Sequence, residues 1–180
     1  MSVKQKIING IIEVEGGYVN DKNDSGGETN FGITVAVARK FGYLGAMVDI
    51  TRETAFDIYA EKYWDALNLD EIEKRSEKIA EELADTCVNM GVGRAGRFFQ
   101  SALNAFNNEG SKYNDLVVDG MVGRGSIAAF NAFLDWRGDD GETVLFRALN
   151  SLQGSFYLDL AARRQKDERF VYGWFLNRVK

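Results

Sequence analysis

The stretch Ser2-Val-Lys-Gln-Lys-Ile-Ile-Asn-Gly-Ile-Ile-Glu-Val-Glu15 decides the fold. Val3, Ile7, Ile8, Ile11, Ile12 and Val14 recur at helical spacing, so one face is apolar and must be buried against partners. Ser2 stands where an N-cap is needed. Gly16-Gly17 supply the residue that ends a helix in the left-handed conformation. Residues 16–34 then lose all periodicity and fill with Gly, Asn, Asp and Thr, which predicts a loop with a short hairpin.

Helical spacing returns beyond it. Thr51 is placed to cap a helix bearing Phe56, Tyr59, Tyr63 and Leu67, and Ser76 to cap one bearing Ile79, Leu83, Cys87 and Met90. Arg94 to Phe106 places Ala95, Phe98, Phe99, Ala102, Leu103 and Phe106 on one face. Ser126 is expected to cap a helix with Ile127, Phe130, Phe133 and Leu134. Leu145, Ala148, Leu149, Leu152, Phe156 and Leu160 mark a long last helix, with Gly154 as its expected weak point. The charged run from Asp70 to Glu82 reads as a solvated face. No proline interrupts the chain, and no linker or repeat divides it. The expectation is a mainly α fold with a small loop or β-hairpin region after the first helix. One compact domain is expected over residues 1–180, with a loop-bearing half (1–75) and a helical half (76–180).

Composition narrows the chemistry. The 180 residues are 45% apolar and 27% charged, values of a soluble globular domain. A net charge of −5 offers no general basic field for nucleic acid or an anionic bilayer. With one cysteine, Cys87, no internal disulfide forms, and its apolar stripe marks it as buried. There is no histidine, so Ser-His-Asp, Cys-His and His-ligated metal mechanisms are excluded. The N-terminal segment is a poor signal peptide because Lys4, Lys6 and Glu13 interrupt its apolar pattern. The expectation is a protein that resides in the cytoplasm when made.

Acidic and small polar residues crowd the loop Glu15-Gly-Gly-Tyr18-Val-Asn20-Asp21-Lys-Asn-Asp24-Ser-Gly-Gly-Glu-Thr29-Asn-Phe-Gly-Ile-Thr34. Glu15 falls in the last turn of the first helix, where the negative end of the dipole disfavours ionisation. The apolar face beneath adds desolvation in the same direction. A carboxyl that keeps its proton near neutrality is what glycoside hydrolysis requires of its acid. Asp24, nine residues on, is a second carboxylate able to act as base, nucleophile or electrostatic support, and Thr29 can hold a water. Bland readings stand beside these: Glu15 as an ordinary helix end, and Asp24 as the acceptor of an Asx-turn.

These residues resemble the signature of the glycoside hydrolase family 108 muramidases, E-G-G-Y-x-N-D-x-x-D-x-G-G-x-T-x-x-G-I-T, with Lys22 where that family often has proline. The resemblance implies that Glu15 is the catalytic acid. The Glu-x8-Asp spacing is similar to that of phage-type lysozymes, although Thr29 falls one residue short of their usual gap. Asn89-Met-Gly91, Phe99-Gln100-Ser-Ala-Leu103-Asn, Asp119-Gly120-Met-Val-Gly123-Arg-Gly-Ser126 and Phe170-Val-Tyr-Gly173-Trp174 resemble the helical region that accompanies the family and is described as peptidoglycan-binding. Together the matches run over roughly residues 5 to 179.

The resemblance implies a lysozyme-like fold and hydrolysis of the β-1,4 bond between N-acetylmuramic acid and N-acetylglucosamine. With Glu15 as the general acid, the loop residues offer Asp24 as the best second carboxylate of the catalytic set and Thr29 as its positioning residue, and Tyr18, Asn20 and Asp21 are expected to line the cleft. Peptidoglycan glycan strands are the expected partner, with no nucleic acid, no stable membrane association, no metal and no organic cofactor. A monomeric phage endolysin is expected, made in the host cytoplasm. It would depend on a holin-like permeabilising protein to reach the wall. A lytic transglycosylase on the same substrate, and a non-catalytic wall-binding or secretion-assisting protein, are the alternatives that the residues leave open.

Overall fold

The computed structural model describes residues 1–15, 17–20 and 27–180, with Val14 and Glu15 described by their backbone alone. The chain forms two compact units, Met1–Asp65 and Ala66–Lys180. Both are mainly α, as the helical spacing predicts, and the described residues hold one two-stranded sheet. Among the described residues no helix is long and apolar enough to cross a membrane.

In the first unit, α1 spans Val3–Glu15. Its start is a reciprocal cap: the Gln5 N–H donates to Ser2 Oγ at 3.2 Å, and the Ser2 N–H donates to Gln5 Oε1 at 3.1 Å. Two otherwise orphaned donors are thereby satisfied. Ile8 and Ile12 from the apolar stripe are fully buried. Strands β1 (Thr29–Asn30) and β2 (Ile33–Thr34) pair antiparallel, with Thr29 opposite Thr34. Thr34 also caps α2 (Val35–Lys40), a six-residue helix too short for its periodicity to be read from sequence. The helix expected after Thr51 begins as α3 (Arg52–Tyr59), with the Thr51 hydroxyl accepting from the Thr54 N–H. It does not continue as one α-helix to Leu67: a π-helical turn, Ala60–Trp64, and a 3-10 turn, Asp65–Leu67, follow.

The second unit is a bundle of α4 (Leu69–Glu73), α5 (Glu77–Met90), α6 (Val92–Ala105), α7 (Arg124–Arg163) and α8 (Glu168–Asn177). Ser76 caps α5 as expected, and Cys87 is buried on its apolar face. Phe99 and Phe130 pack with ring centroids 5.5 Å apart at the centre of the core. Trp174 is half-buried and stacks on Tyr157 at 4.7 Å, which holds α8 to α7.

Three local expectations are corrected. The N-cap of α7 is Gly123, and Ser126 lies inside the first turn, buried, where its hydroxyl accepts from Gln100 Nε2 at 3.4 Å. The break in the long helix is at Gly138 (φ 60°, ψ −146°), a conformation open to glycine. Gly154 is instead a packing position, where an added Cβ would press on the Phe175 ring at 3.3 Å. Finally, the run from Asp70 to Glu82 is not solvated throughout, because Glu82 is 2% exposed.

Glu82 has a thermodynamic consequence. Burial, and secondarily the charge of Asp85, push its carboxyl from 4.5 up to about 7, against a hydrogen bond from Asn150 and the charge of Lys180. Its Oε1 has no hydrogen-bond partner among the described residues. The folded state therefore holds a proton that the unfolded chain has already released. The associated stability is complete below about pH 4.5 and is lost as pH rises through about 7. Up to about 3 kcal/mol is involved. Thermal melts of wild type are expected to lose this contribution between pH 5 and 8. Glu82→Gln should flatten that part of the profile and melt higher than wild type at pH 8. Parallel profiles for the two proteins would remove Glu82 as the cause.

Candidate active site

The hairpin is fixed by hydrogen bonds to residues distant in sequence. Asn30, 5% exposed, donates from Nδ2 to the Met47 carbonyl at 2.9 Å. The Tyr59 hydroxyl donates to the Phe31 carbonyl at 2.8 Å. Phe31 and Gly32 both take positive φ (50° and 71°) to turn the chain between the strands. Ile33 is buried beneath them. The polar loop is thus attached to a scaffold whose backbone carbonyls are satisfied by side chains from 17 and 28 residues away.

Thr29 is half-buried on β1 and exchanges both backbone hydrogen bonds with Val19, at 2.8 and 2.9 Å. That bridge brings the segment just after α1 alongside the hairpin. Tyr18 and Asn20 flank Val19 and are exposed. Asn20 Nδ2 donates to Tyr18 Oη at 3.3 Å and to Glu28 Oε1 at 3.4 Å. Two of the expected site residues, Tyr18 and Asn20, therefore meet on one face of the first unit, while Thr29, opposite Val19 in the bridge, joins them through the backbone and turns its side chain to the other face. Glu15 is the last residue of α1, three positions before Tyr18. Its placement at the helix C-terminus is the one that opposes ionisation of a carboxyl. Its side chain, and the whole of Asp21 and Asp24, lie outside the described residues.

Glu28 joins this group without having been flagged by the sequence pattern, in which it occupies a variable position before Thr29. Its half-buried carboxylate accepts from Asn20, and its backbone carbonyl accepts from the Val35 N–H at 3.1 Å. The available signal was local: a carboxylate one residue before a hairpin strand. A surface with one carboxylate, one amide and one phenol beside the hairpin suits a polyhydroxylated chain, which offers hydroxyls to each of these groups.

The motifs of the second half also acquire a physical meaning. Phe99–Asn104 and Asp119–Ser126 are two sides of one joint. Gln100, buried on α6, donates to Asp119 Oδ1 at 2.9 Å and to the Met121 carbonyl at 3.0 Å, and accepts from the Gly120 N–H at 2.8 Å. Hydrogen bonds from Gln100 and then from the Met121 N–H hold the Asp119 carboxyl below the usual carboxylate range. Asn104 in turn donates to and accepts from the backbone of Leu116, both at 2.8 Å.

Residues 8–91 match the family model described as Glycosyl hydrolase 108, and residues 94–179 match the one described as Predicted Peptidoglycan domain. A solved structure, described as that of Brucella abortus SagA, superposes with a TM-score of 0.56 at 21% identity, over 98% of this chain and 95% of that one. At that identity it supports the fold alone. No curated protein matches.

Proposed function

Because residues 8–91 belong to the glycosyl hydrolase 108 family and residues 94–179 form a predicted peptidoglycan domain, so that the chain is a glycoside hydrolase of peptidoglycan, we propose that it is an N-acetylmuramidase. The bond cleaved is the β-1,4 link from N-acetylmuramic acid to N-acetylglucosamine. Glu15 is the general acid. The observation that carries this role is its position as the terminal residue of α1, three residues before Tyr18 and the segment that the Val19–Thr29 bridge ties to the hairpin.

In this reading the strand lies along the hairpin. Glu15 gives its proton to the departing glycosidic oxygen, and positive charge develops on the muramic ring. Asp24 supports that charge or directs the attacking water, and the Thr29 hydroxyl positions the water. Tyr18, Asn20 and Asp21 hold the sugar. The physiological setting in this reading is lysis of a host cell by a phage.

Mass spectrometry of the products tests the assignment. Digested, purified walls are expected to yield fragments with a reducing N-acetylmuramic acid end. A 1,6-anhydro end would make the enzyme a lytic transglycosylase, and a reducing N-acetylglucosamine end would move the cleaved bond. Walls left intact by active-site-complete, folded protein would leave a binder only.

A further inference from the structure

We propose that the cleft at the break in α7 is a second binding site, for the short peptide stem of peptidoglycan. It is lined by Phe106, Phe133, Arg137, Asp140, Gly141 and Val144, and has a volume of about 250 Å³. Sites for drug-sized ligands run from roughly 300 to 1,000 Å³, so this one suits a few small residues and not a run of sugars. The inference rests on the reading above for its polymer, while the chemistry of the ligand is set by the cleft.

The floor is apolar: Phe133 is buried, and Phe106 stacks on it with centroids 5.8 Å apart. The rim carries one charge of each sign. Arg137 and Asp140 are both exposed, and neither has an ion-pair partner among the described residues. The Arg137 guanidinium lies 3.6 Å from the Trp136 ring centroid, with Lys112 also against that ring at 4.8 Å. Stacking restrains the guanidinium beside the cleft, so less freedom is lost when it binds.

The backbone is shaped to allow this. Gly138, at φ 60°, turns the helix so that residues on either side of the break face one space. A Cβ at Gly141 would meet the Arg137 Cβ at 2.6 Å and the Phe133 ring at 3.3 Å, so a bare position there brings Arg137 and the floor together. A cationic fork, an anion and an aromatic floor within one small cleft match a ligand with a carboxylate, an ammonium and a methyl-sized side chain. Glycan strands freed of peptide offer no ammonium. The stem peptide, with its terminal D-alanine carboxylate and diamino-acid amine, offers all three.

The test uses the whole chain and a synthetic stem, L-alanyl-γ-D-glutamyl-meso-diaminopimelyl-D-alanine, titrated while amide shifts are followed by NMR. Shifts are expected at Phe106 and between Phe133 and Val144. Arg137→Gln should weaken binding about tenfold, the scale of one hydrogen bond to a charged group. Asp140→Asn should weaken it similarly, and amidating the peptide's carboxylates or acetylating its amines should reproduce each loss. Thermal melts verify that these exposed substitutions leave the fold intact. Absent shifts, shifts elsewhere, or binding by both variants as tight as that of wild type would overturn the site. Cleavage of peptide-free glycan by wild type is measured in parallel. Its failure would count against the muramidase reading and leave the titration interpretable.

Discussion

Glu15→Gln is expected to lower turnover on wall suspensions by about 10²–10⁴-fold or more, while the protein still folds and still sediments with walls. Glutamine keeps the size and acceptor geometry of the side chain but has no proton to deliver. An unprotonated sugar alkoxide is a poor leaving group, so the loss belongs at the upper end of general-acid effects. Stability should be unchanged or higher, because an acidic residue at the C-terminal end of a helix is opposed by the helix dipole and is not placed there for folding. The companion Asp24→Asn separates two roles. Asparagine replaces aspartate in an Asx-turn almost without cost but cannot serve as a catalytic carboxylate. Near wild-type clearing by folded Glu15→Gln would end the general-acid assignment. Near wild-type clearing by Asp24→Asn would leave Asp24 a turn residue.

Gly96→Ala is expected to be strongly damaging for so small a substitution in the second unit. From helix propensity alone it should help by up to about 1 kcal/mol, since Gly96 lies inside α6. The tertiary contact reverses the sign. A Cβ there would sit 2.1 Å from the Gly120 carbonyl oxygen and 2.6 Å from its carbon, both backbone atoms. That loop has no room to retreat, because Gln100 holds Asp119, Gly120 and Met121 by three hydrogen bonds of 2.8–3.0 Å. Overpacking costs roughly 1–3 kcal/mol and each hydrogen bond lost about 1 more. A net loss of about 3 kcal/mol corresponds to a fall in Tm of roughly 6–12 °C for a chain of this size. Gly93→Ala is the control, since its Cβ would meet only the mobile end of Arg97 at 3.2 Å. It should melt within a few degrees of wild type. Equal melting of all three proteins would show that the α6–loop contact is not a constraint.

Periodicity and capping residues determined the mainly α class, the start of α1 at Ser2, the caps at Thr51 and Ser76, and the burial of Ile8, Ile12, Cys87, Phe99 and Phe130. These depend on side-chain spacing along one helix and on hydrogen bonds between residues three apart, and both are local. The short hairpin over residues 29–34 was legible for the same reason, and the long mixed pattern from Glu15 to Thr34, part of which lies outside the described residues, marked the candidate site. Tertiary structure alone decided the rest. Glu28 joins Tyr18 and Asn20 only because the Val19–Thr29 bridge folds one segment onto another. Glu82 sits in a run of charges that looks solvated, yet helices from elsewhere in the chain bury it and raise its affinity for a proton. Gly154 and Gly138 look alike as glycines in a helical pattern. One lies close against the ring of Phe175 and the other is set by a backbone turn, and no rule confined to neighbouring residues distinguishes a close contact from a positive φ.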